Sequence, residues 1–90
     1  MEEKHTHILD TFCQKMMDEL HDILDDDELH TKLLDAGMVR EATLLEEIAT
    51  EEFTHAMTYR RILARHGHAI SQEAHELWDR VYEIYHMEDK

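Results

Sequence analysis

The chain has 90 residues, no proline, two glycines and one cysteine, and its 22 Asp and Glu against nine Lys and Arg give a formal charge of −13 at pH 7. A field of that sign excludes nucleic acid and anionic membrane surfaces as partners and suits cations, although acidity alone also keeps a chain dispersed. With no alternating strand pattern, no Gly/Pro-rich linker and no apolar run near the length of a membrane span, the residues predict one all-α domain over 1–90.

The amino-terminal Met1-Glu2-Glu3-Lys4-His5 lacks the basic start and apolar core of a signal peptide, and the lone Cys13 fits a reducing compartment, so a cytoplasmic protein is expected. The first helix is predicted over 6–36, with Gly37 as a left-handed cap. It runs through the acidic stretch Asp25-Asp26-Asp27-Glu28, because Leu29, Leu33 and Leu34 keep helical spacing with Ile23. Cys13 falls on its apolar side and reads as a small packed hydrophobe. At about 100° per residue, Glu19 stands within roughly 60° of Ile8, Phe12, Met16 and Ile23, so a carboxylate interrupts an apolar stripe. Asp22, about 60° the other way and shorter, is the alternative. Asp26 and His30 continue the line, either as an outer ion path or, the favoured expectation, as an exposed seam. The remaining histidines sit mostly near helix ends or on polar faces and read as solvated.

The second helix is predicted over 38–66, ended by Gly67. On its wheel Leu45, Ala56, Tyr59 and Leu63 lie within roughly 40° of Glu52, and His55 lies about 60° away. Glu52 and His55 therefore form an ExxH pair set into an apolar stripe, where a carboxylate costs several kcal/mol unless it is paired, protonated or bound to a metal. Residues three apart on a helix point the same way, so both can reach one ion. Glu46, Glu47 and Glu51 fall toward the solvated side. Tyr59, one turn beyond His55, is either a group behind the ligands or a packed aromatic. The third helix is predicted over 71–88, capped by Ser71, with Ala74, Leu77, Trp78, Val81, Ile84 and Tyr85 along one side. It is expected to dock on a neighbour or on its own hairpin. The two long helices, each roughly 40 to 45 Å and joined by a short turn, make an antiparallel hairpin.

A helix-one glutamate followed thirty-three residues later by ExxH resembles the ferritin-like di-iron carboxylate bundles. The stretch from Ala36 to Ala56 is similar to the second helix of rubrerythrins, with its glycine at the same distance before the ExxH glutamate. Those proteins carry two helix pairs in one chain, whereas this chain has one pair and a short helix. In that respect it is similar to the encapsulated ferritins, which build a di-iron site from two subunits. The resemblance implies a long antiparallel hairpin plus a short C-terminal helix that dimerises into a ferritin-like four-helix bundle. Carried over by residue, the ligands are Glu19, Glu52 and His55 from each of two chains, with Glu52 bridging and Tyr59 and Asp22 behind or beside them. That count matches a bundle in which two helices give a Glu each and two give Glu-x-x-His. Mixed carboxylate and imidazole donors suit Fe, Mn or Zn, and the resemblance favours iron.

The implied activity is ferroxidase chemistry, the oxidation of Fe(II) in a homodimer or higher homo-oligomer. Storage of the product requires an enclosing shell, and no cargo-targeting tail is evident after Tyr85. One alternative is a rubrerythrin-like peroxide reductase, although a single cysteine cannot build the four-cysteine electron-transfer domain of many rubrerythrins. Another, from a different class, is a helical metal-buffering or interaction module without catalysis.

Overall fold

Two glycines decide where the long helices end. The computed structural model, which describes residues 2–88 and the side chains of 5–85, has three α-helices: α1 over Glu2–Asp35, α2 over Val39–Arg65 and α3 over Gln72–Glu88. Gly37 and Gly67 take φ of 76° and 63°, a left-handed backbone that costs other residues about 1–2 kcal/mol. The chain closes the same way at both. Met38 N–H donates to the Leu33 carbonyl and Gly37 N–H to that of Leu34; His68 N–H donates to Leu63 and Gly67 N–H to Ala64. This Schellman arrangement satisfies carbonyls that have no partner within the helix.

The acidic stretch Asp25 to Glu28 lies inside α1, as the leucine spacing required. The first helix begins at Glu2 rather than near Thr6, because neither glycine nor proline interrupts the earlier residues. Among the described residues there is no strand, and no helix is long and apolar enough to cross a membrane.

α1 and α2 form the antiparallel hairpin, and α3 folds back along the groove between them, so the third helix docks on its own chain. Ser71 starts it: its backbone carbonyl accepts from His75 N–H, and its Oγ accepts from Ala74 N–H at 3.1 Å. That is an N-cap bond, which satisfies one of the free donors of the first turn. Ala74, Leu77, Trp78 and Val81 are buried against Cys13, Met16 and Leu20 of α1 and Ala56 of α2. Trp78 is the largest of them, and its indole N–H donates to Met16 Sδ at 3.3 Å. Phe53 of α2 meets Trp78 edge-on at 5.9 Å and Tyr85 at 4.8 Å, while Arg60 lies 4.9 Å above the Trp78 ring. Cys13 is buried here as a free thiol.

The molecule is 54 Å long and 22 by 17 Å across, whereas a helix the length of α3 spans only about 25 Å. α3 therefore stops at about the level of Asp26 and Glu46, where Tyr85 meets the hairpin, and leaves the turn end beyond it uncovered. Leu29, Leu34, Met38, Val39, Leu44 and Ile48, in or next to that end, are large apolar side chains left about half exposed.

Candidate metal centre

The hairpin brings the predicted residues of α1 and α2 to one level. Glu52 faces α1 and is partly buried, with Asp26, Asp22 and Glu19 all close enough to repel its charge. His55 Nδ1 lies 3.5 Å from Glu19 Oε1. One turn along α2 from Glu52, the imidazole pairs with the helix-one glutamate, while Glu52 itself meets Asp26; the two pairs are neighbours, and among the described residues they do not gather into one cluster.

Among the described residues Glu52 is the carboxyl whose surroundings most oppose its charge. Burial pushes its carboxyl from the ordinary 4.5 up to about 8, helped by the hydrogen bond its acid form gives to Asp26 and by repulsion from Asp26, Asp22 and Glu19. Among the described residues two buried side-chain oxygens lack a hydrogen-bond donor, and they are Glu52 Oε1 and Asp26 Oδ2. Two carboxylates that meet without a donor need a proton or a cation between them. At neutral pH the metal-free chain supplies the proton, held on Glu52.

Asp26 is the residue the sequence reading placed wrongly. The seam it forms with His30 is partly buried, not exposed. The wheel held the signal, because Asp26 follows Glu19 by two turns and lies only about 20° from it. Its place within Asp25-Asp26-Asp27-Glu28 hid that signal, since an acidic run reads as a solvated one. His30 completes the seam by pairing across the hairpin, its Nε2 2.7 Å from Glu46 Oε1. Beyond it, Asp26, His30, Glu46, Thr50 and Tyr85 edge a cleft of about 180 Å³.

The remaining predicted residues fall nearby with different surroundings. Asp22 is exposed and acts on Glu52 through charge alone. Tyr59 packs its ring against Phe12 at 5.8 Å, one turn past His55. His55 itself is 59% exposed and Glu19 only 23%, so the imidazole stands at the rim of the site, on the side of the hairpin away from α3.

The donor set fits a hard or borderline cation: carboxylate oxygens, two of them lacking donors, beside one imidazole. Among the described residues no three His, Cys, Asp or Glu side chains of the single chain are gathered closely enough to hold a metal ion. Glu52 and Asp26 meet, whereas Glu19 turns to the exposed imidazole of His55. No family model, curated protein or solved structure matches the chain.

Proposed function

We propose that this chain is a half-bundle di-iron carboxylate protein of the ferritin-like kind, which oxidises Fe(II) at a site completed by a second copy. The observation that carries the reading is the pair of donorless carboxylate oxygens on Glu52 and Asp26, set beside Glu19 and His55 at one level of the hairpin. A protein that needed only packing there would place an apolar side chain, since replacing buried charge by well-fitted apolar groups is neutral or stabilising. Glu19, Glu52 and His55 from each of two chains would hold the ions, with Asp26 adding an acceptor from α1.

Iron(II) is the substrate: two ions give one electron each to dioxygen, which takes up two protons and leaves as hydrogen peroxide. The chain's residues do the rest. Glu52 gives up its proton as a cation arrives, so uptake releases a proton and strengthens as the pH rises toward about 8. Glu19, drawn toward His55, sets the edge of the site, and the exposed imidazole faces the position a second chain would occupy. Phe12 and Tyr59 close the wall on the open-end side.

The test is metal analysis of purified protein followed by Fe(II) oxidation in air, with Glu52→Ala as control. Wild type is expected to bind iron and oxidise it at least about tenfold faster than the variant, the loss that follows when one charged ligand is removed. Equal rates, or no bound iron in wild type, would end the proposal. Iron bound without turnover would instead favour a metal-buffering module.

A further inference from the structure

We infer that Met17 and Met57 are sites of reversible oxidation, at which hydrogen peroxide adds one oxygen to each sulfur and so loosens α3 from the hairpin. The inference does not rest on the iron reading, although the peroxide released by the proposed reaction would be one source of the oxidant.

The first observation is what α3 holds on to. Three side-chain donors cross from its cap and body to the hairpin, and each ends on a methionine sulfur. Ser71 Oγ donates to Met17 Sδ at 3.8 Å, Trp78 Nε1 to Met16 Sδ at 3.3 Å and Tyr82 Oη to Met57 Sδ at 3.8 Å. Thioether sulfur is a weak acceptor, and the chain carries 22 Asp and Glu that would accept more strongly. In so acidic a chain, three donors that all settle on sulfur tie the docking of one helix to the chemistry of methionine.

The second observation is exposure. Met16 is 0% exposed in the middle of the core and bonded to Trp78, itself only 2% exposed. Met17 and Met57 are partly buried and pack at the margin of the same core. Oxidation follows access to the sulfur, so the two marginal methionines react while α3 is docked and the central one does not.

The step needs only the peroxide. A sulfur lone pair attacks one peroxide oxygen, the O–O bond breaks, and the departing hydroxide takes the proton left on the transferred oxygen. Sulfur gives up two electrons, the peroxide accepts them, and the products are the sulfoxide and water. A flexible apolar side chain has then become a polar one, and at Met17 and Met57 it lies against the apolar cluster that includes Trp78 and Val81. Its oxygen is better solvated with α3 lifted than with α3 docked, so each oxidation shifts α3 toward the open state. Lifting α3 uncovers Met16, which reacts last. The fold thus sets the order, margin before centre, and exposes the Trp78 side of the hairpin only when peroxide accumulates.

The test uses the full chain in chelator with added hydrogen peroxide, so that it does not depend on iron. Peptide mass mapping is expected to find Met38, 44% exposed at the turn, oxidised as an open sulfur, Met17 and Met57 oxidised while α3 is still folded, and Met16 at least about tenfold slower than either. Once Met17 and Met57 carry oxygen, amide exchange in residues 74–82 should speed up at least about tenfold while the rest of α1 and α2 holds. Methionine sulfoxide reductases should restore the slow exchange. Met17→Leu with Met57→Leu, a swap of similar volume, is expected to keep the helical circular dichroism and the slow exchange in the same peroxide. Met16 oxidised as fast as its neighbours overturns the inference, as does unchanged exchange in wild type oxidised at both sites. So does a loss of protection that the reductases leave in place. An equal loss in the double variant overturns it too, and would move the sensitive group to the Cys13 thiol.

Discussion

On the face that α3 covers, the indole N–H of Trp78 reaches Met16 Sδ and Phe53 lies edge-on to Trp78 and Tyr82. On the opposite face of the same two helices Leu44 and Ile48 are left half bare, and between the helices an oxygen of Glu52 and one of Asp26 lack donors. Both faces are laid out by one helical repeat along α1 and α2, so the difference is not one of local structure. It lies in what is finished within the chain. Packing on the covered side is complete without help, whereas the other side keeps expensive carboxylates together and leaves apolar surface around them. A surface built that way is stable only through protons, cations or a further chain, and each can be tested separately.

The largest expected effect separates the two faces directly. Trp78→Ala removes a side chain that is 2% exposed and should cost about 3–5 kcal/mol, enough to unfold much of a domain this small. Leu44→Ala on the open face should change the stability of the single chain by no more than about 0.5 kcal/mol. Urea unfolding of both at two protein concentrations is the measurement. Leu44→Ala should lose only the part of stability that grows with concentration. A loss of similar size in both variants at high dilution would mean that the two faces are equally finished, and the comparison would fail.

The second effect is one of pH and belongs to the open face alone. Because the folded chain holds the Glu52 proton up to about 8 and the unfolded chain only to the ordinary 4.5, the folded state binds more protons between those values. Stability from this group is fully present below 4.5 and is lost as the pH rises toward 8. The metal-free chain should therefore weaken steadily across that range. Glu52→Gln, whose amide N–H replaces the O–H that the protonated carboxyl donates to Asp26 and which carries no charge, should flatten the slope and be more stable by about 1–3 kcal/mol at pH 8 to 9. Thermal unfolding in chelator from pH 5 to 9 reads both. A slope that persists in the variant would place the titrating group elsewhere.

The covered face was legible in the sequence to a different degree from the open one. Gly37 and Gly67, the absence of proline and the apolar repeat set three helices and their ends, since those signals act within a few residues. Ser71 was legible as a cap for the same reason. Which surface α3 would choose was not, because its apolar side fits any hydrophobic groove and the sequence left its own hairpin and a neighbour open. On the other face, the wheels placed Glu19, Glu52 and His55 together. They also put Asp26 on the line of Glu19, but its acidic neighbours made it read as solvated, and how far it is buried depends on how closely α1 and α2 approach. His30 with Glu46 was missed likewise, a contact across 16 residues that only the hairpin geometry creates.

The smallest effect asks whether the two faces act on one another. Ser71→Ala removes the 3.1 Å bond to Ala74 N–H and leaves a donor of the first turn without a partner, at a cost of about 1 kcal/mol. The loss is felt through Ala74, which is fully buried against the hairpin, so the first turn of α3 should fray while α1 and α2 hold. Hydrogen exchange should speed up in residues 72–76 and nowhere else. Because α3 touches neither Glu19 nor His55 in any contact described above, Fe(II) oxidation should be unchanged within about twofold, less than 0.5 kcal/mol. If oxidation fell along with the protection of α3, the aromatic cluster of Phe53 and Trp78 would be transmitting strain to Glu52, its neighbour in sequence. The covered face would then be part of the metal centre's machinery rather than only its support.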